Sequence, residues 1–235
     1  MHQPLASFRN RLLSRLEPDD LARLSPHLTR LTLTQRMPLV ASGEPIERCY
    51  FLESAVASVV TATADGKQAE VGLVGREGMV DVATVMGADR TPLDVFIQMP
   101  GDAFAVPTSE VIAVFDGSRA FRRLLLGFAH SFLVQVAQTA LASVALTIED
   151  RLARWLLMTS DRSESSSFEI THEFLSLMLG VRRAGVTDAL NSLVAAGYIA
   201  TSRGQIIIID RGGLEERAGA SYGAPDSVHR IPLND

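Results

Sequence analysis

The 235-residue chain predicts an α+β fold with a β-rich N-terminal half, one long apolar helix and a C-terminal pair of short helices closed by a β-hairpin. Three observations predict it. Between Leu31 and Val114, short runs of Val, Ile, Leu and Thr alternate with turn residues. From Leu124 to Ile148, 25 consecutive residues carry no formal charge. From Phe168 to Asp210, apolar residues at helical spacing are punctuated by Gly180 and Gly197 and followed by a strand-turn-strand pattern.

At the N-terminus, Phe8, Leu12, Leu13 and Leu16 recur at helical spacing, Pro18 breaks the run, and Leu21, Leu24 and Leu28 resume it. The runs LTLT, MPLV, CYFL, VASVVTAT, QAEVGLV, DVFIQM and AFAV follow, and Asp65-Gly66 between two of them marks a hairpin. Many short strands with regular turns predict an antiparallel barrel, roll or sandwich. The uncharged segment is apolar almost all round, as expected of a helix buried on more than one side. One face is expected on the β-domain and another on a second subunit. Its narrow polar stripe, Ser131, Gln135 and Gln138, is solvated, paired across a dimer or in contact with a ligand. Polar residues from His130 to Thr147 interrupt the segment, so a membrane span is not expected. In IEDRLARWLLMTSDR, Ile148, Leu152, Trp155, Leu156 and Thr159 share a helix face.

Composition narrows the function classes. Apolar residues make up 47% and charged residues 21%, an ordinary globular balance, and the net charge of −5 gives no bulk signal for nucleic acid. Lys67 is the only lysine, so the positive charge is nearly all arginine. Cys49 is the only cysteine, which excludes an intramolecular disulfide and a cysteine cluster for zinc or iron–sulfur; in a strand it reads as a buried structural thiol. His2, His27, His130, His172 and His229 show no ligand spacing, and no metal, iron–sulfur or haem site is supported. The N-terminus lacks a continuous apolar stretch, so a cytoplasmic protein is expected. An enzyme on a β-barrel would need a His/Glu metal cluster on neighbouring strands, and residues 31–114 contain no histidine.

The last third carries the functional pattern. Phe168-Glu169-Ile170 reads as a strand, Thr171 as the N-cap of a helix with Phe174, Leu175, Met178 and Leu179 on one face, and Gly180 as its end. A second helix starts near Arg183, with Val186, Leu190, Leu193 and Val194 inward and small Ala184 and Gly185 at the helix crossing. Gly197 ends it, and a hairpin turns at Ser202-Arg203-Gly204. This order is a winged helix-turn-helix, whose second helix enters the DNA major groove. Arg182, Arg183, Thr187 and Asp188 lie on the outer side of that helix's start. An arginine there forks onto guanine N7 and O6. Thr171 and nearby amides suit a phosphate, and Arg203 suits a phosphate or the minor groove.

Here the chain resembles the Crp/Fnr (cyclic-AMP receptor and fumarate–nitrate regulator) superfamily over roughly residues 20–215. The resemblance is carried by Ile170-Thr171, Leu179 to Val186, Leu190, Leu193, Gly197-Tyr198-Ile199, Gly204 and Ile207, and more weakly by Gly43, Tyr50-Phe51-Leu52, Val56 and Gly75-Arg76-Glu77-Gly78. It implies a cyclic-nucleotide-binding-like β-roll sensor at 1–117, a dimerisation helix at 118–148 and a DNA-binding domain at 149–217; the segment 218–235, rich in Gly, Ala, Ser and Pro and without periodicity, is expected to be a disordered tail. It further implies a homodimer, double-stranded DNA and RNA polymerase as partners, half-sites about 34–36 Å apart, and a small-molecule effector of unknown identity. Arg183 matches the family's base-reading arginine. Ala184 stands where the family often has glutamate, and Asp188 where it often has a second arginine, so a different target sequence is expected. Glu77-Gly78 and Arg90-Thr91 are the candidates for effector contact, with Gln135 and Gln138 on the long helix. Pro92 after Arg90-Thr91 is atypical of nucleotide-binding members, so a cyclic nucleotide is not favoured. The alternative function is a signalling adaptor of the same fold whose C-terminal module binds protein.

Overall fold

A computed structural model describes residues 8–223. His2, His229 and residues 224–235 of the tail expected over 218–235 lie outside them. In chain order the elements are α1 (Pro18–Leu24), β1 (Thr29–Leu33), β2 (Pro38–Val40), β3 (Arg48–Leu52), β4 (Val56–Ala62), β5 (Gln68–Val74), β6 (Met79–Val80), α2 (Val82–Val85), β7 (Asp94–Met99), β8 (Gly101–Pro107), α3 (Thr108–Gly117), α4 (Arg119–Ala145), α5 (Ile148–Ser163), β9 (Ser167–Glu169), α6 (His172–Leu179), α7 (Arg183–Ala195), β10 (Ile199–Ser202), β11 (Gln205–Ile208) and α8 (Arg211–Ala218). The chain forms two compact units that are not contiguous in sequence. Among the described residues, one takes 8–59 together with Val74–His130; the other takes Val60–Leu73 and 131–223.

All seven expected strand runs are strands, in antiparallel sheets of order β1-β8-β3-β6 and β2-β7-β4-β5. In the first unit, Leu33, Cys49, Phe51, Val56, Ile97 and Val106 are buried. β4 opens with five buried residues in a row, VASVV, and the one polar member, Ser58, donates to Gln98 Oε1 at 2.8 Å. Cys49 is a buried free thiol, pushed up to about 12 by burial and then by the charge of Asp81.

Two helical expectations change in this unit. The N-terminal periodicity gives only a 3-10 turn, Leu13–Arg15, because buried Asn10 accepts the N–H groups of Leu12 and Leu13 on its side-chain oxygen. Its amide donates to Leu52 and Gly78 carbonyls, anchoring the segment. Pro18 opens α1 at its first position instead of breaking a helix. α2 and α3 fall inside the stretch read as all-β. Their Val- and Ile-rich sequences carry no helical propensity of their own, and packing decides.

α4 is long and apolar enough to cross a bilayer by length and composition alone. Leu125 and Phe128 are buried in the first unit, and Phe132 and Ala142 in the second. Along another face Leu126, His130, Leu133, Ala137, Ala140 and Val144 are exposed, alternately four and three residues apart. The polar stripe is corrected at Gln135. It is buried, its Oε1 accepts the Leu73 N–H at 2.6 Å, and its Nε2 donates to the Leu73 carbonyl at 3.1 Å. An amide so engaged is neither solvated nor open to a ligand. Ser131 is also buried, and Gln138 is half-buried.

In the second unit, the Asp65-Gly66 turn closes with the Thr63 N–H on the Lys67 carbonyl at 2.8 Å. The segment after Arg211 is helical, which the expected tail from Ala218 did not include. Asp210 caps α8 by accepting the Gly213 N–H at 3.0 Å, and a 3-10 turn, Gly219–Ser221, follows. The glycines at 212 and 213 hid this helix. Gly213 is needed, since a Cβ there would lie 2.3 Å from the Tyr198 ring.

Candidate nucleic-acid interface

The interface is built on α5. Thr147 and Asp150 form a reciprocal capping box at its start, and Leu152, Leu156 and Thr159 are fully buried along it. α7 and α8 pack against it. Gly185 meets α5 rather than α6: a Cβ there would lie 2.8 Å from Ile148 Cδ1. The small residue therefore serves a different helix crossing from the one expected.

Thr171 caps α6, its Oγ1 accepting the Phe174 N–H at 3.2 Å. Leu175, Met178 and Leu179 are buried below. Gly180 then turns the chain with φ 62°, a left-handed geometry that favours glycine. The Val181 N–H returns to the Ser176 carbonyl at 3.0 Å, and Ser176 Oγ donates to the Val181 carbonyl. Half-buried Arg151 of α5 donates to the Leu179 carbonyl, pinning the end of α6.

Arg182 is the extended N-cap of α7. Val186, Ala189, Leu190 and Leu193 turn inward, while Val194, expected with them, is 39% exposed near the helix end. Arg182, Arg183, Ala184, Asp188 and Asn191 are exposed. Thr187 is half-buried, its hydroxyl lying 3.0 Å from His172 Nδ1 and 3.2 Å from the Arg183 carbonyl. His172 and Asn191 are additions to the predicted set. Asn191 follows Asp188 by three residues on an exposed helix row, a spacing visible in sequence; the His172–Thr187 contact between helices is not.

β10 and β11 pair from Ile199↔Ile208 to Ser202↔Gln205, and β9 joins through Gln205↔Glu169. The two-residue tip is Arg203 (φ 27°) and Gly204 (φ 81°), with Arg203 exposed. The Ile170 N–H bonds the Gly204 carbonyl at 2.8 Å, tying the wing's tip to the strand that leads into α6.

The expected effector contacts are engaged elsewhere. Glu77 is buried and accepts the Gly75 N–H at 3.1 Å. Gly78 is pressed against Phe128, whose ring would lie 2.0 Å from a Cβ. Exposed Arg90 donates to the Gly43 carbonyl at 2.7 Å, and Thr91 Oγ1 accepts the Leu93 N–H at 3.3 Å. The Glu77 and Thr91 bonds close their own turns, and the Arg90 bond ties its loop to the one at Gly43. A different residue stands out: Asp81 is left-handed with φ 84°, and burial pushes its carboxyl up to about 6. Among the described residues no group of three or more His, Cys, Asp and Glu side chains is placed to hold a metal ion.

The comparisons with known proteins bear on this geometry. A domain-family match covers residues 150–217, the stretch from the first turn of α5 to the last of α8. Those residues form a Crp-like helix-turn-helix domain. Around the Crp-like domain the chain has the Crp/Fnr fold. A Crp/Fnr-family protein from Eubacterium rectale shares it at TM-score 0.71 and 16% identity, covering 88% of this chain and 97% of its own. FixK2 from Bradyrhizobium japonicum does so at 0.69 and 16%, covering 82% and 98%. CLP from Xanthomonas campestris, a regulator responsive to c-di-GMP, does so at 0.66 and 16%, covering 82% and 99%. A comparison with curated protein sequences gives no match.

Proposed function

We propose that the protein is a homodimeric, sequence-specific DNA-binding transcriptional regulator whose α7 enters the major groove. One observation carries this reading. At the start of α7, two guanidinium groups, Arg182 and Arg183, are exposed and make no ion pair among the described residues. They stand on a helix whose other face is locked to α5. A rigid helix with free forked donors at its N-terminus suits guanine recognition. Asp188 accepts from a cytosine amino group on the same face, and Asn191 extends the row. Thr187 contributes its methyl group, since its hydroxyl is already bonded. Thr171 with the first amides of α6, and Arg203 at the wing, position the phosphate backbone.

The exposed row on α4 supports the dimer, for alternating spacings of four and three are those of a coiled-coil seam. Two copies joined there present two α7 helices to two half-sites. RNA polymerase is then the partner through which bound DNA affects transcription, and the cytoplasm is the compartment. The sensor half is proposed to take an effector other than cAMP or cGMP, because Glu77 and Arg90 are held by backbone groups of separate loops. Neither nucleotide is expected to raise the melting temperature.

Selection of bound sequences from random DNA tests the proposal. The expected product is a two-fold symmetric site with half-sites one turn apart, which Arg183→Ala binds poorly. Failure of the wild-type protein to enrich any sequence at low salt would overturn the proposal and favour the adaptor alternative.

A further inference from the structure

The second unit contains a cleft lined by residues of β5, α4, α5 and α6. Arg154 lines it and is only 6% exposed. Its Nε donates to the Ser221 carbonyl at 2.9 Å, while its buried Nη2 meets no acceptor. Arg151 lines the same cleft, half-buried. Arg162, two turns along α5, is also buried, and its charge opposes that of Arg154, while the charge of Glu70 offsets it only in part. Burial lowers the pKa of both Arg151 and Arg154, that of Arg154 to about 10. The carboxylate lining the cleft is Glu70, whose Oε1 accepts the Trp155 indole N–H at 2.8 Å. Thr139 and Ser143 also line it, but both donate to carbonyls of their own helix. Donors to a guest therefore come from the guanidinium groups. A buried cation with an unmet donor is costly, and an oxyanion relieves it.

We propose that this cleft binds one small oxyanion, a carboxylate or a phosphate, on Arg154 with Arg151 beside it. Glu70, which also lines it, disfavours more highly charged guests. Arg151 also holds the end of α6, so an anion there acts next to the turn that precedes α7. That consequence rests on the DNA-binding reading; the binding site does not.

The test uses the full chain in thermal melts and calorimetric titrations with sodium phosphate, sodium acetate and sodium chloride at equal ionic strength. A saturable rise in melting temperature of about 2–4 °C over chloride is expected. A rise with phosphate alone assigns phosphate, with acetate alone a carboxylate, with both a general oxyanion site. Arg154→Gln is expected to abolish the effect, and Arg154→Lys to weaken it. Should the Arg154 variants not fold, Glu70→Gln is the second arm and is expected to bind the anion more tightly. A wild-type protein that responds to neither anion beyond chloride, an Arg154→Gln protein that responds like wild type, or a Glu70→Gln protein that binds no more tightly overturns the proposal. DNA affinity is read separately with and without the anion, so loss of one result leaves the other standing.

Discussion

Arg183 stands exposed at the first position of α7, with the extended Arg182 before it. Its replacement by alanine is expected to leave the melting temperature unchanged and to weaken binding to the preferred site by about 1–3 kcal/mol, measured by fluorescence anisotropy. The loss should be small on non-specific DNA. Asp81 makes a prediction of a different kind. Its carboxyl is raised from 3.8 to about 6 by burial, against the Ala83 and Thr84 N–H groups that pull it down. A carboxyl that keeps its proton longer when folded contributes stability fully present below about 4, and lost as pH rises through about 6. After allowance for partial solvation, the loss is about 1–2 kcal/mol. Asp81→Asn should therefore unfold at higher urea than wild type at slightly alkaline pH, and the gap should close in acid. Asp81→Gly should gain about 1 kcal/mol more, since φ 84° strains any residue with a Cβ.

α4 combines two periodicities, and each is testable. One set of side chains, including Leu125, Phe128 and Phe132, is buried within the chain. The other, from Leu126 to Val144, is exposed at coiled-coil spacing, with Val144 89% open and Leu133 58%. Leu133→Glu is expected to give a monomer in sedimentation velocity, and DNA affinity should fall with it. His130 is the polar member of that row, so His130→Leu should tighten the dimer. The sequence alone predicted the helix and its many-sided burial. It did not separate the two faces, because Gln135 looks solvent-facing until β5 is placed beside it and Leu73 takes both ends of its amide. The helix-turn-helix was legible for a simpler reason: Thr171, Gly180 and Gly204 are local instructions, each acting within a few residues. α2, α3 and α8 were not legible, since they depend on packing against distant segments.

At the scale of the whole molecule, a net charge of −5 opposes DNA at long range, so the proposed DNA binding is expected to depend on a few arginines close to the phosphates. Affinity should fall steeply with salt. Arg203→Ala should reduce the slope of log affinity against log salt by about one, uniformly across sequences. Compaction does not follow the linear order of the chain, because Val60–Leu73 groups with the C-terminal unit. Compactness depends on which segments meet, and periodicity within a segment does not encode that.

The chain has a single tryptophan, Trp155, only 5% exposed and bonded to the carboxylate of Glu70 on β5. Its ultraviolet emission is therefore an intrinsic optical gauge of whether that strand stays seated on α5. A blue signal is expected of the seated state, since the indole is buried. A shift to the red on adding DNA or a small molecule would register its release without any attached dye.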